Sequence, residues 1–279
     1  MPFTPVIPLN GFAGWRVLER TMDRQVEAFN KSADIQREIE YFRENMPNAL
    51  TSEDLLSDRK LLKVALGAFG LQDEINKGGL IRKVLDEGTL LDDTFANRLN
   101  NSQYIELAEA FSYGNGGLFV SDNFINQVVD KYLEQSFEEA VGTVNNDMRL
   151  SLNFQRQITE LASSGESETT LWFRVLGNVP LRTVFETAYG LPSEFSQLDV
   201  DQQVRVLEEK TEKFFGTSSI AEVFADSNNI DDMIRRFQVR RDIESGPGPT
   251  TPGYAGLLAL QSSSGIGSFG AQNLFLSNL

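Results

Sequence analysis

The chain has 279 residues, with 40 acidic side chains against 25 basic ones, and it contains neither cysteine nor histidine. Thiol nucleophiles, disulfides, Ser–His–Asp triads and imidazole-ligated metals are excluded, because each needs a side chain that is missing. A formal charge of −15 argues against a protein that grips nucleic-acid backbones or anionic membranes, and the length allows about two domains or one elongated repeat assembly.

The opening "MPFTPVIPLNGFAGW" carries no charge and three prolines. It lacks a basic region ahead of an apolar run, so it is not expected to be a cleavable secretory signal. No stretch reaches the ~18 apolar residues that a membrane-spanning helix needs. From Trp15 the spacing turns helical, through Leu18, Met22, Val26 and Phe29. After a break at Asn30 to Ala33 it resumes through Ile35, Ile39, Phe42 and Met46. Thr51, with Asp54 three residues on, reads as a capping box.

"SDRKLLKVALGAFGLQ" then begins at Ser57. Asp58 is placed to cap a helix and Gly70 to end it, while Leu61, Val64, Ala65 and Ala68 share one face. Short bounded helices follow over Gly79 to Gly88 and Asn100 to Phe111, with a turn at Tyr113 to Gly117. A long apolar stripe runs from Phe124 to Leu161, with a break expected between Gly142 and Asn146. "GNVPLRTVFETAYGLP" from Gly177 repeats the earlier phrase. Asn178 replaces Asp58, Gly190 replaces Gly70, and Pro180 sits in the first turn, where its missing N–H costs nothing.

The repetition extends further. "DIQREIEYFREN" from Asp34 pairs with "DMRLSLNFQRQI" from Asp147, "GGLIRKVLDEG" with "DQQVRVLEEKTEKFFG", and "NNSQYIELAEAF" with "SNNIDDMIRRFQ". Strand signals are poor, with no alternating runs bounded by hairpin turns. The expectation is an all-α protein of two tandem multi-helix repeats, packed side by side, joined by a long helix and flanked by irregular uncharged termini. Its segments are 1–15, uncharged; 16–117, the first repeat; 118–244, the second repeat with the connecting helix; and 245–279, an uncharged tail rich in Gly, Ser and Pro.

Motifs for small-molecule chemistry fail on context. "GIGSFG" at Gly265 matches a dinucleotide fingerprint but has no preceding strand and no acidic residue after it. "DSNNIDD" at Asp226 has Ile230 where a calcium loop needs oxygen, so it reads as a helix cap. The adjacent carboxylates Asp92/Asp93, Glu138/Glu139 and Asp231/Asp232 diverge on a helix and read as solvated surface. No cofactor, metal or small-molecule substrate is expected, and an enzyme is the least favoured class.

Interaction signals are of two kinds. The basic run at Arg235, Arg236, Arg240 and Arg241 either closes a helix or docks an acidic partner. The uncharged termini are too apolar for generic disorder. They offer Phe3 and Trp15 at one end, and Tyr254, Leu257, Leu258, Phe269 and Phe275 at the other, as partner-binding residues. The alternative is that both ends wrap over the chain's own helices.

"GFAGWRVLERTMDRQ", "DRKLLKVALGAFGL", "GTLLDDTFANRLNN", "GNVPLRTVFETAYGLP" and "TPGYAGLLAL" together resemble a bacterial repeat family, domain of unknown function 1217. Its members are typically encoded among flagellar genes, and it has no established catalytic residues. The resemblance implies a flagellum-associated structural or assembly protein that binds a flagellar component or itself, its termini serving in docking or export. A cytosolic adaptor or chaperone for a flagellar subunit is the second expectation.

Overall fold

The structure is a computed structural model and describes residues 3–99 and 101–246. These residues form fourteen α-helices and no strand, so the protein is all-α. In order they are α1 (Gly11–Asn30), α2 (Ala33–Asn45), α3 (Ser52–Ser57), α4 (Arg59–Ala68), α5 (Gly78–Glu87), α6 (Phe95–Arg98) and α7 (Ser102–Phe111). The second series is α8 (Asp122–Val144), α9 (Asn146–Ser163), α10 (Glu168–Gly177), α11 (Val179–Tyr189), α12 (Val200–Phe215), α13 (Ile220–Phe224) and α14 (Ser227–Ser245).

Local chemistry sets the ends of the two similar helices. Asp58 accepts the N–H groups of Lys60 and Leu61 at 2.9 and 3.2 Å, and Asn178 accepts that of Leu181 at 3.1 Å. At the far ends Gly70 and Gly190 are left-handed, with φ of 67° and 62°. Beyond them Leu71 N–H returns to Leu66 O and Leu191 N–H to Glu186 O, both at 2.9 Å, which satisfies carbonyls the helix leaves open. Thr51 and Asp54 form the expected capping box. Asn145 breaks the long stripe by capping α9.

Two cores result. One gathers Phe42, Leu66, Val84, Leu107, Phe111 and Tyr132; the other gathers Phe154, Trp172, Phe185, Phe224 and Phe237. Helix α8 serves both, giving Ile125, Val128, Val129 and Tyr132 to the first and Phe137 and Val141 to the second. Helix α1 departs from the expected division. Its Trp15, Leu18 and Phe29 lie in the second core, although the chain order places it with the first. The reason is packing against α14, whose Asp242 carboxylate lies so close to Gly11 at the start of α1 that a Cβ there would meet it at 1.8 Å.

Helix pairs recur between the halves. Helices α3 and α4 pack as α10 and α11 do, α2 with α4 as α9 with α11, and α4 on α8 as α11 on α14. Ile125, Val128, Val129 and Tyr132 therefore occupy the packing positions of Ile230, Met233, Ile234 and Phe237, with Ser121 and Asp226 as caps. The sequence pairing instead set residues 100–111 against α14. Apolar spacing at i, i+3, i+4 and i+7 is shared by several helices and does not by itself choose the partner.

Gly190 gives a direct test of the second capped end. A Cβ there would lie 2.3 Å from the Arg240 guanidinium, on a backbone at φ 62°. Gly165, at φ 74°, has open space around its Cβ position. Gly190→Ala should therefore lose about 1–2 kcal/mol of stability from backbone strain, plus the cost of displacing Arg240, and exceed Gly165→Ala in urea denaturation.

Candidate interaction surfaces

The four arginines of the basic run fan out from α14 toward different elements, with Arg235 and Arg240 remaining exposed and Arg236 and Arg241 half-buried. Arg235 lies over the Phe12 ring of α1 and Arg236 over Phe214 of α12, at 5.8 and 4.3 Å. Arg240 sits against Gly190 at the end of α11. Arg241 binds Asp147, in the first turn of α9, at 2.9 Å, and Glu244 at 3.1 Å. Neighbouring helical residues point in different directions, so one run reaches four elements. Its principal contacts are thus internal braces rather than one free basic face.

The N-terminal candidates are also used internally. Trp15 is 1% exposed, which corrects its assignment as a docking residue. Its neighbour Gly14 explains the depth, since a Cβ there would meet the Leu9 carbonyl at 2.0 Å. Residues 3–9 run back along α1, held by Val6 N–H to Gln25 Oε1 at 2.8 Å and Gln25 Nε2 to Val6 O at 3.2 Å. Phe3 packs edge-on to Phe29, with ring centres 5.5 Å apart, and beside Phe137 at 6.3 Å. Tyr254, Leu257, Leu258, Phe269 and Phe275 lie outside the described residues.

Two surfaces escaped the sequence reading. The first is a groove of about 750 Å³ between α1, α8 and α9. Met22, Val26, Leu133, Phe137 and Leu152 make its apolar surface, and Asp130, Lys131, Glu134 and Glu160 stand at its border. Arg156 crosses one wall to Glu138, with contacts of 2.7 and 3.2 Å, their side chains being 10% and 7% exposed. Glu138 is therefore a buried ion-pair member and not solvated surface. Burial alone would lower the Arg156 guanidinium, but its hydrogen bond and attraction to Glu138 outweigh that and raise it. Burial pushes the Glu134 carboxyl up, and the nearby Glu138 and Glu160 add to this against Arg156. Glu106, in the adjoining pocket with Lys131, Glu160 and Arg174, is raised by burial in the same way.

The second surface is an apolar tip, a set of exposed side chains on loops whose Ala49, Tyr113, Leu118 and Val120 pack in or against the first core. Leu50, Leu90, Leu91 and Phe119 are between 58% and 83% exposed. Their loops are tied together. Asn115 accepts the Thr89 N–H at 2.8 Å and donates to Thr89 Oγ1 at 3.0 Å, and the Tyr113 hydroxyl donates to Ala49 O at 2.8 Å. Gly88 and Gly114 pass so closely that a Cβ on Gly114 would lie 2.4 Å from the Gly88 nitrogen. "YGNGG" marked the turn in the sequence, but nothing there linked it to residues 49–50 and 88–91.

Among the described residues, no helix is long and apolar enough to cross a membrane. Asp226 caps α14 by accepting the Asn228 N–H at 2.9 Å, the role expected of it in place of calcium binding. The fold is similar to the crystal structure of protein AGR_C_984 from Agrobacterium tumefaciens, with a TM-score of 0.68 and 26% identity. The match covers 86% of this chain and 97% of that one. No curated protein matches the sequence. The profile described as protein of unknown function DUF1217 matches residues 68–230, more than half of the chain. The protein belongs to the DUF1217 family.

Proposed function

We propose that the protein is a non-catalytic component of the bacterial flagellar system that works through protein–protein contacts, with the tied apolar tip as its contact surface. The observation that carries this reading is the exposure of Leu50, Leu90, Leu91 and Phe119 on loops locked by Asn115 and Tyr113. Large apolar side chains held outward on fixed loops bind with little ordering cost, which is what an interface anchor needs. Asp92, Asp93 and Asp122 flank them in the chain and are exposed, so the partner surface should combine an apolar pocket with Lys or Arg at its rim. The flagellar setting is supported by the family resemblance, whose members are typically encoded among flagellar genes. Recurring helix pairs support two copies of one packing unit sharing α8.

The apolar groove between α1, α8 and α9 favours a second reading, a cytosolic adaptor that shields a flagellar subunit. Location separates the two. Tagged protein from motile cells should co-purify with a flagellar component and appear in the filament or basal-body fraction. Recovery only in the cytosol, bound to a flagellar subunit, would favour the adaptor. Recovery with no partner in any fraction would contradict both.

A further inference from the structure

We infer that the groove between α1, α8 and α9 is the seat of the chain's own uncharged C-terminal tail, residues 247–279. Four observations converge on this occupant. The first is a precedent. The other uncharged terminus already lies on this part of the molecule, with Phe3 packed against Phe137, which also lines the groove. Seating the tail there would extend an existing apolar contact.

Reach is the second. Helix α14 ends at Ser245, and Arg241 in its last turns is bonded to Asp147 near the start of α9. Leu152, the nearest groove residue on α9, is five residues further along that helix, about 8 Å. The tail has 33 residues beyond Gly246, each spanning up to about 3.3 Å when extended, so it reaches the whole groove with chain to spare.

Charge is the third. Four carboxylates, Asp130, Glu134, Glu138 and Glu160, line the groove against Lys131 and Arg156, and the Arg156 guanidinium is shared among Glu138, Glu134 and Glu160 at 2.7, 3.9 and 4.0 Å, which leaves the lining net negative. An acidic segment would be repelled, and this chain carries −15 overall. Residues 245–279 carry no charged side chain and form its longest uncharged run. Apolar content is the fourth. Tyr254, Leu257, Leu258 and Leu260 fall within seven residues, matching a groove surfaced by Met22, Val26, Leu133, Phe137 and Leu152.

The test uses chymotrypsin on the full chain, following cleavage at the tail's Tyr254, Leu257 and Leu258, with a free peptide of residues 247–279 for comparison. The tail in the protein should be cut at least about tenfold more slowly than the peptide, at a rate independent of protein concentration, as a closed intramolecular state requires. Met22→Glu, which adds charge to an acidic-rimmed groove, should restore fast cleavage. The paired change Leu257→Asp with Leu258→Asp should do the same at Tyr254 while leaving the folded helices untouched, so the result does not depend on the groove variant folding. Cleavage as fast as in the peptide would overturn the inference. Protection that survives both variants would place the tail elsewhere, and protection only at high protein concentration would place it on a second copy; either result also overturns it.

Discussion

Arg156→Met should lose about 3–5 kcal/mol at neutral pH, the usual cost of removing one partner from a buried ion pair. The Glu138 carboxylate would remain 7% exposed with only the Asn153 amide, at 3.3 Å, as a hydrogen-bond partner. Gln135, with its amide oxygen turned inward, accepts from the same guanidinium at 2.6 and 3.2 Å and would lose its partner too. Urea denaturation at pH 7 measures the loss. Replacing Glu138 and Arg156 together by methionine should restore most of the loss, since an apolar pair leaves no charge buried.

Phe185→Ala should cost a similar amount, about 3–5 kcal/mol, for a different reason. The ring is fully buried, and its centre lies 5.6 to 5.9 Å from those of Phe154, Trp172, Tyr189 and Phe224. Truncation forfeits four edge-to-face contacts at once and leaves a cavity bounded by rigid rings that collapse poorly into it. Phe185→Leu retains most of the volume and should cost less than half as much. The urea midpoint should fall in both variants with an unchanged slope, because the surface exposed on unfolding stays the same.

Helix ends were the most legible part of the sequence. Asp58, Asn178, Thr51 and Asp226 act within three residues of themselves, so their roles depend on no distant partner. The break between α8 and α9 was visible for the same reason, with Asn145 as the cap. Long-range assembly was not. The apolar stripe of α1 announced a buried face without saying which core would bury it, and α14 claimed Trp15. The arginine run looked like one patch because sequence adjacency hides the roughly 100° turn between successive helical residues. Glu138 differs from its surface-exposed neighbour Glu139 only in direction, and Arg156, eighteen residues away, supplies its partner. The apolar tip joins residues 50, 90, 91 and 119 through Asn115 and Tyr113, a connection made only once the loops are closed.

On the proposed function the protein works by contact through that tip. The direct measurement compares partner recovery from motile cells for tagged wild type and for the double variant Leu91→Asp with Phe119→Asp. Both positions are solvent-exposed, so the variant should unfold at the wild-type urea midpoint. It should lose at least about tenfold in recovered flagellar partner, equivalent to about 1.4 kcal/mol or more of binding. Undiminished recovery by a fully folded double variant would contradict the proposed function.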